Sequence, residues 1–143
     1  MKASPFHQMI GLLWNLKESG QYDELFEPLI GDREPIDISV YGKAFALLEG
    51  VDKGQVVQAV AWSPRCYHNA RKFHRDHLDI TWNPSLLKKG YVASLWGATC
   101  FVSNEIPKGH VWFWEKDLFK WVESKCMLAK EPTRDSFVCI TAL

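Results

Sequence analysis

Apolar positions early in the chain recur at helical spacing, while those late in the chain gather in short blocks. Phe6, Met9, Ile10, Leu13 and Trp14 fall on one face of a period of about 3.6 residues, which predicts an N-terminal helix. Ser4-Pro5 supplies its start: a hydroxyl cap, then a proline that needs no N–H at the first helical position. Gly20 offers its stop. Residues 22–30 predict a short further helix limited by Pro28, and residues 31–35 a polar loop. Asp37 or Ser39 is placed to cap a second helix, with Val40, Ala44, Leu47 and Leu48 facing one way and Gly50 at its end.

Residues 55–62 are apolar and β-branched between turn residues, so they predict a buried strand. Ser63-Pro64 repeats the cap-plus-proline signal and opens a third helix running to about His77, with Tyr67, Ala70, Arg71 and Phe73 on its mixed face. Asn83-Pro84 begins a short helical turn over 85–89. Strands are then expected over 91–96, 98–103, 110–115, 119–125 and 137–143, with Gly97 and Pro107-Lys108-Gly109 as structural turns. In the 110–115 strand, Trp112 and Trp114 share one face and Phe113 takes the other. Such a strand must be covered on both sides, by the rest of the chain or by a partner. Helices lead and strands follow, which predicts an α+β class: N-terminal helices, a strand–helix unit, then a mainly antiparallel sheet. We expect one domain over 1–143, with a helical segment over 1–36.

Composition sharpens this. At 143 residues and 47% hydrophobic, the chain can build a real core and is not disordered. Its 17 basic and 17 acidic residues cancel, which removes long-range attraction to nucleic acid or to an anionic membrane and eases self-association. Cys66, Cys100, Cys126 and Cys139 form no C-x-x-C pair, and residues 1–5 carry no basic and then apolar leader. Free thiols in a reducing compartment are therefore expected, in a soluble protein made inside the cell. No apolar run is long enough to span a bilayer.

Candidate chemistry is sparse. His74 and His77 lie three residues apart, but His68 is six residues before His74 and no Glu or Cys completes a ligand set. A solvated basic helix face explains them better. Cys66 sits in the first turn of a predicted helix, where a thiolate is favoured, yet small buried cysteines are commoner. Phosphate-binding glycine loops are missing, and Asp76, Asp79, Glu105, Glu115 and Asp117 are scattered acids without a defined partner. No catalytic, cofactor-binding or metal-binding residue is expected, and no cofactor. Seven tryptophans serve cores and protein interfaces equally well. Trp112, Trp114 and Trp121 are the candidate assembly contacts.

One ordered set of motifs resembles a known family. A helix with Ala44-x-x-Leu47-Leu48 precedes a strand ending in Ser63-Pro64, then a helix with Tyr67 and Phe73. Gly90-Tyr-Val-Ala-Ser-Leu-Trp-Gly97 follows, with Phe101-Val-Ser-Asn104 and Ile106-Pro107-x-Gly109. This order resembles the C-terminal half of tailed-phage major capsid proteins, the icosahedral shell fold shared with encapsulins. The likeness is loose over 37–143 and better over 55–115. It implies a phage-capsid-like axial region over 37–143 and strands that return the chain toward a peripheral domain. It also implies assembly with copies of itself and with other capsid or virion proteins, and a place in the virion after synthesis in the host cytoplasm. Family members are generally longer, with an N-terminal arm, an extended hairpin loop and a long spine helix; residues 1–36 are too short to supply all three. The rival expectation, from the residues alone, is a small monomeric binding or regulatory domain whose aromatic strand lines a pocket. Neither reading calls for specific nucleic-acid or membrane binding.

Overall fold

Helix α1 spans Pro5–Ser19 and buries Phe6, Ile10 and Leu13, the heart of the apolar stripe. Gly20 ends it at φ +74°, the left-handed conformation that glycine adopts without a Cβ clash, and its N–H reaches back to the Lys17 carbonyl. The computed structural model describes residues 5–31, 36–49, 58–73, 75–88 and 90–142. The expected cap at Ser4, the stop at Gly50, the start of the 55–62 strand and His74 lie outside them.

After a single 3₁₀ turn at Asp23–Phe26 the chain forms a strand, β1 (Leu29–Gly31), rather than continuing as a helix. Helix α2 (Ile38–Glu49) opens on Asp37, whose carboxylate accepts the Ser39 N–H at 3.1 Å. Its buried stripe is Tyr41, Ala44, Phe45 and Leu48, a clean i, i+3, i+4, i+7 series. Val40 is only half-buried and Leu47 is exposed, so the inward face is rotated from the expected one.

Strand β2 (Gln58–Trp62) leads into α3 (Pro64–Ala70). Proline stands at the first turn as expected, but the Ser63 hydroxyl makes no capping bond. Its carbonyl does the work instead, accepting the Tyr67 N–H at 3.0 Å. The helix stops at Ala70, short of His77, because the Lys72 and Phe73 N–H groups turn back to Asn69 and Ala70 in tighter i→i−3 bonds. The chain is thereby freed to form β3 (Leu78–Ile80). Asn83 then caps α4 (Pro84–Lys88), accepting the Ser85 N–H at 2.9 Å.

The remaining strands are β4 (Tyr91–Leu95), β5 (Ala98–Val102), β6 (His110–Glu115), β7 (Phe119–Val122), β8 (Lys125–Leu128) and β9 (Phe137–Ala142). The one strand expected over 119–125 is a hairpin, broken where Glu123 and Ser124 both take positive φ and Val122 pairs with Lys125. Seven strands form a mixed sheet in the order β1-β9-β6-β2-β5-β4-β3, and β7-β8 stands apart as a two-stranded ribbon. Only β1/β9 and β2/β5 are parallel, so the sheet is mainly antiparallel and the class is α+β.

Each sheet face carries its own core. On one side α2 and α3 pack Tyr41, Phe45 and Cys66 against Trp62, Phe113, Val111 and Ile140. On the other, α1, the 3₁₀ turn and the hairpin pack Phe6, Ile10, Leu118 and Cys126 against Trp112, Trp114 and Phe137. In the first core the Trp62 indole N–H donates to the Tyr41 hydroxyl at 2.7 Å, with both groups buried. Burial also pushes the Tyr41 phenol far above its ordinary range, so it stays a neutral acceptor. Replacing Tyr41 by Phe keeps the ring and removes the acceptor, leaving a buried N–H unpaired. We expect a loss of about 1–3 kcal/mol in denaturant unfolding, and unchanged stability would contradict the bond.

Candidate functional site

The aromatic strand is an interior element. Trp112 and Trp114 are 1% and 0% exposed, enclosed by Phe6, Trp14, Phe26 and Phe137. Phe113 is equally buried on the opposite face, against Tyr41 and Phe45. Trp112 and Trp114 are thus core residues with no surface to offer a second molecule, which corrects their reading as assembly contacts. Residues 111–114 of β6 are at most 1% exposed, closed over by the chain itself. The alternation of its side chains was evident in sequence; that one chain supplies both covering layers was not.

Trp121 is different. It is 42% exposed on β7, paired with Cys126 of β8. Val122 and Met127 on the same ribbon are also exposed. Isolated exposed apolar residues are ordinary on a protein surface. Strand alternation puts Val122 and Met127 on the ribbon's outward face with exposed Lys120 and Lys125, whereas Trp121 lies on the opposite face with buried Phe119 and Cys126. The ribbon is fixed beneath: Phe119 and Cys126 are buried, and the Cys126 N–H donates to the Gln8 amide oxygen of α1 at 3.0 Å. Val122 and Met127 gave no sequence signal, because only the hairpin break at Glu123-Ser124 brings their strands together.

The expected turns define the rim beside β4, β5 and β6. Trp96 and Gly97 join β4 to β5 with φ of 49° and 85°, the two-residue turn that matches strand twist. A bulky residue at positive φ is costly, and Trp96 is held by specific bonds. Its backbone N–H donates to the His77 carbonyl at 3.2 Å and its indole N–H to His77 Nδ1 at 3.0 Å, while its ring meets Phe45 edge-on. The Nδ1 lone pair of His77 is therefore committed to Trp96. In the next loop the His110 N–H closes on the Pro107 carbonyl, with Gly109 at φ +81°. That loop is pinned to α1 by the Trp14 indole, which donates to the Glu105 carbonyl at 2.7 Å.

The thiols are sequestered. All four cysteines are buried and none is in a disulfide. Burial raises the Cys100 and Cys126 thiols, and pushes Cys139 up to about 12. Cys66 is 4% exposed beneath α3. His110 is shifted down, first by burial and then by the nearby Lys17 charge. Among the described residues no three His, Cys, Asp or Glu side chains gather as a metal site, and no helix is long and apolar enough to cross a membrane.

Two further surface features stand out. Trp82, between β3 and α4, is 78% exposed, and Leu87 of α4 is also exposed. An open groove of about 520 Å³ lies between residues 20–25, after α1, and residues 132–134, before β9. Tyr22, Asp23 and Glu24 form one wall and Arg134 stands on the other. No protein family, curated protein or solved structure matches this chain.

Two outcomes follow from this geometry. Gly97→Ala meets no atom within 4 Å, so its cost is conformational alone. We expect a loss of roughly 1–2 kcal/mol in thermal or chemical unfolding; no loss would contradict the left-handed turn. A thiol reagent should leave all four cysteines of the native chain unreacted while labelling all four in denaturant. Rapid native labelling of Cys66 would contradict its burial.

Proposed function

We propose that this chain is a structural subunit of a phage-like capsid or shell, working by self-association rather than by catalysis. The observation that carries the proposal is the outward face of the hairpin, where Val122 and Met127 stand exposed between Lys120 and Lys125, outside the main sheet. Exposed apolar side chains on one face of a rigid element are what a subunit can present to its neighbours. The capsid-like series of motifs supports the same reading. Its parts occupy adjacent elements: β2 runs into α3 at Ser63-Pro64, β5 pairs with β2, and β4 turns into β5 at Gly97. A formal net charge of zero leaves little repulsion between copies.

On this reading the partners are copies of the chain and other virion proteins, and its location is the capsid. Each contact can be weak, because a shell repeats it many times and gains by multivalency. The test is light scattering and electron microscopy over a wide concentration range. The proposal expects concentration-dependent oligomers or particles. A species that stays monomeric at the highest attainable concentration overturns it and favours a small binding domain.

A further inference from the structure

We propose that the β7–β8 hairpin of one copy docks in the groove between residues 20–25 and 132–134 of a second copy, joining subunits head to tail. This rests on the self-association reading above and adds to it which two surfaces meet. The outward face of the hairpin combines Val122 and Met127 with Lys120 and Lys125, and Glu123 stands in the turn. The groove carries the inverse signs: Asp23 and Glu24 against the two lysines, and Arg134 against Glu123. Among the described residues, none of Asp23, Glu24, Lys120 and Lys125 is in an ion pair, and all four are exposed. Arg134 is braced in the groove wall, donating to the Glu24 carbonyl at 3.2 Å and lying 3.6 Å from the Glu27 carboxylate.

Geometry makes the contact intermolecular. The hairpin is tied to α1 at Gln8, while the groove begins at Gly20, past the other end of that helix. At about 1.5 Å per residue the two sites lie roughly 18 Å apart along the helix axis. A hairpin pinned at one end of α1 cannot reach the groove at the other. Because the two surfaces differ, the contact is heterologous, and it closes into a ring or extends into a chain according to the rotation it imposes. Exposed ion pairs are individually weak, so the charges select partner and register, and Val122 and Met127 add apolar contact.

The experiment is charge exchange in the full chain, read by sedimentation velocity at low salt with circular dichroism to confirm folding. Lys120→Glu with Lys125→Glu, and separately Asp23→Lys with Glu24→Lys, should each raise the concentration for half-assembly roughly tenfold or more. Mixing the two variants, or combining all four substitutions in one chain, should restore assembly. All four positions are exposed, so the fold should persist. If neither reversal changes wild-type assembly, or if the combined variant is not restored, the docking is wrong while self-association stands. An effect of the groove reversal alone assigns the groove another occupant and also overturns the inference. A wild-type chain that never assembles removes both readings.

Discussion

The whole architecture depends on burying both faces of β6. Its neighbours in the sheet are β2 and β9, and its side chains alternate Trp112 and Trp114 toward one face and Val111 and Phe113 toward the other. No single layer can cover such a strand. Helices α2 and α3 close one side, and α1 with the hairpin closes the other. The energetics allow an imperfection here. A large aromatic buries on the order of 150–250 Å², a gross gain of about 4–6 kcal/mol at about 25 cal/mol per Å². The Trp114 indole N–H, buried with no acceptor among the described residues, costs about 1–3 kcal/mol. Burial wins, and Phe6, stacked on the ring at 6.1 Å, adds to it.

Strong periodicity was legible in the sequence, and pairings between distant segments were not. The bounds of β6, the α1 stripe and the β4–β5 hairpin follow from alternation, helical spacing and glycine placement in neighbouring residues. The strands β1 and β3 hold three residues each, too few to display any period. β1 becomes a strand only because β9, far along the chain, pairs with it. The 119–125 run concealed a hairpin because its turn is Glu123-Ser124, without the glycine that usually marks two successive positive φ angles. The inward face of α2 was misjudged for a related reason. Val40 and Leu47 are as apolar as Tyr41 and Phe45, and only packing against Trp62 and Phe113 selects the latter pair.

The same limit explains the surface. A tryptophan count cannot separate core from interface, since three indoles go to the sheet's two cores while Trp82, Trp96 and Trp121 face solvent in part. The sheet edges are blunted by strands of only three residues, which disfavours edge-to-edge pairing. On the proposed reading, association falls to the hairpin and groove at opposite ends of α1. The four thiols are buried and His77 is bonded to Trp96; what the hairpin and groove expose is shape, apolar area and charge. On the proposed reading, those are the means by which one copy recognises the next.

The central claim is that one chain closes both faces of its own aromatic strand, leaving assembly to surfaces outside the core. Native-state hydrogen exchange on the dilute, unassembled chain tests it most directly. The account predicts that the amides of β6 and β2 exchange slowest of all and at a rate independent of protein concentration. Protection of β6 that appears only at concentrations where copies associate would contradict it, because the second layer would then come from a partner.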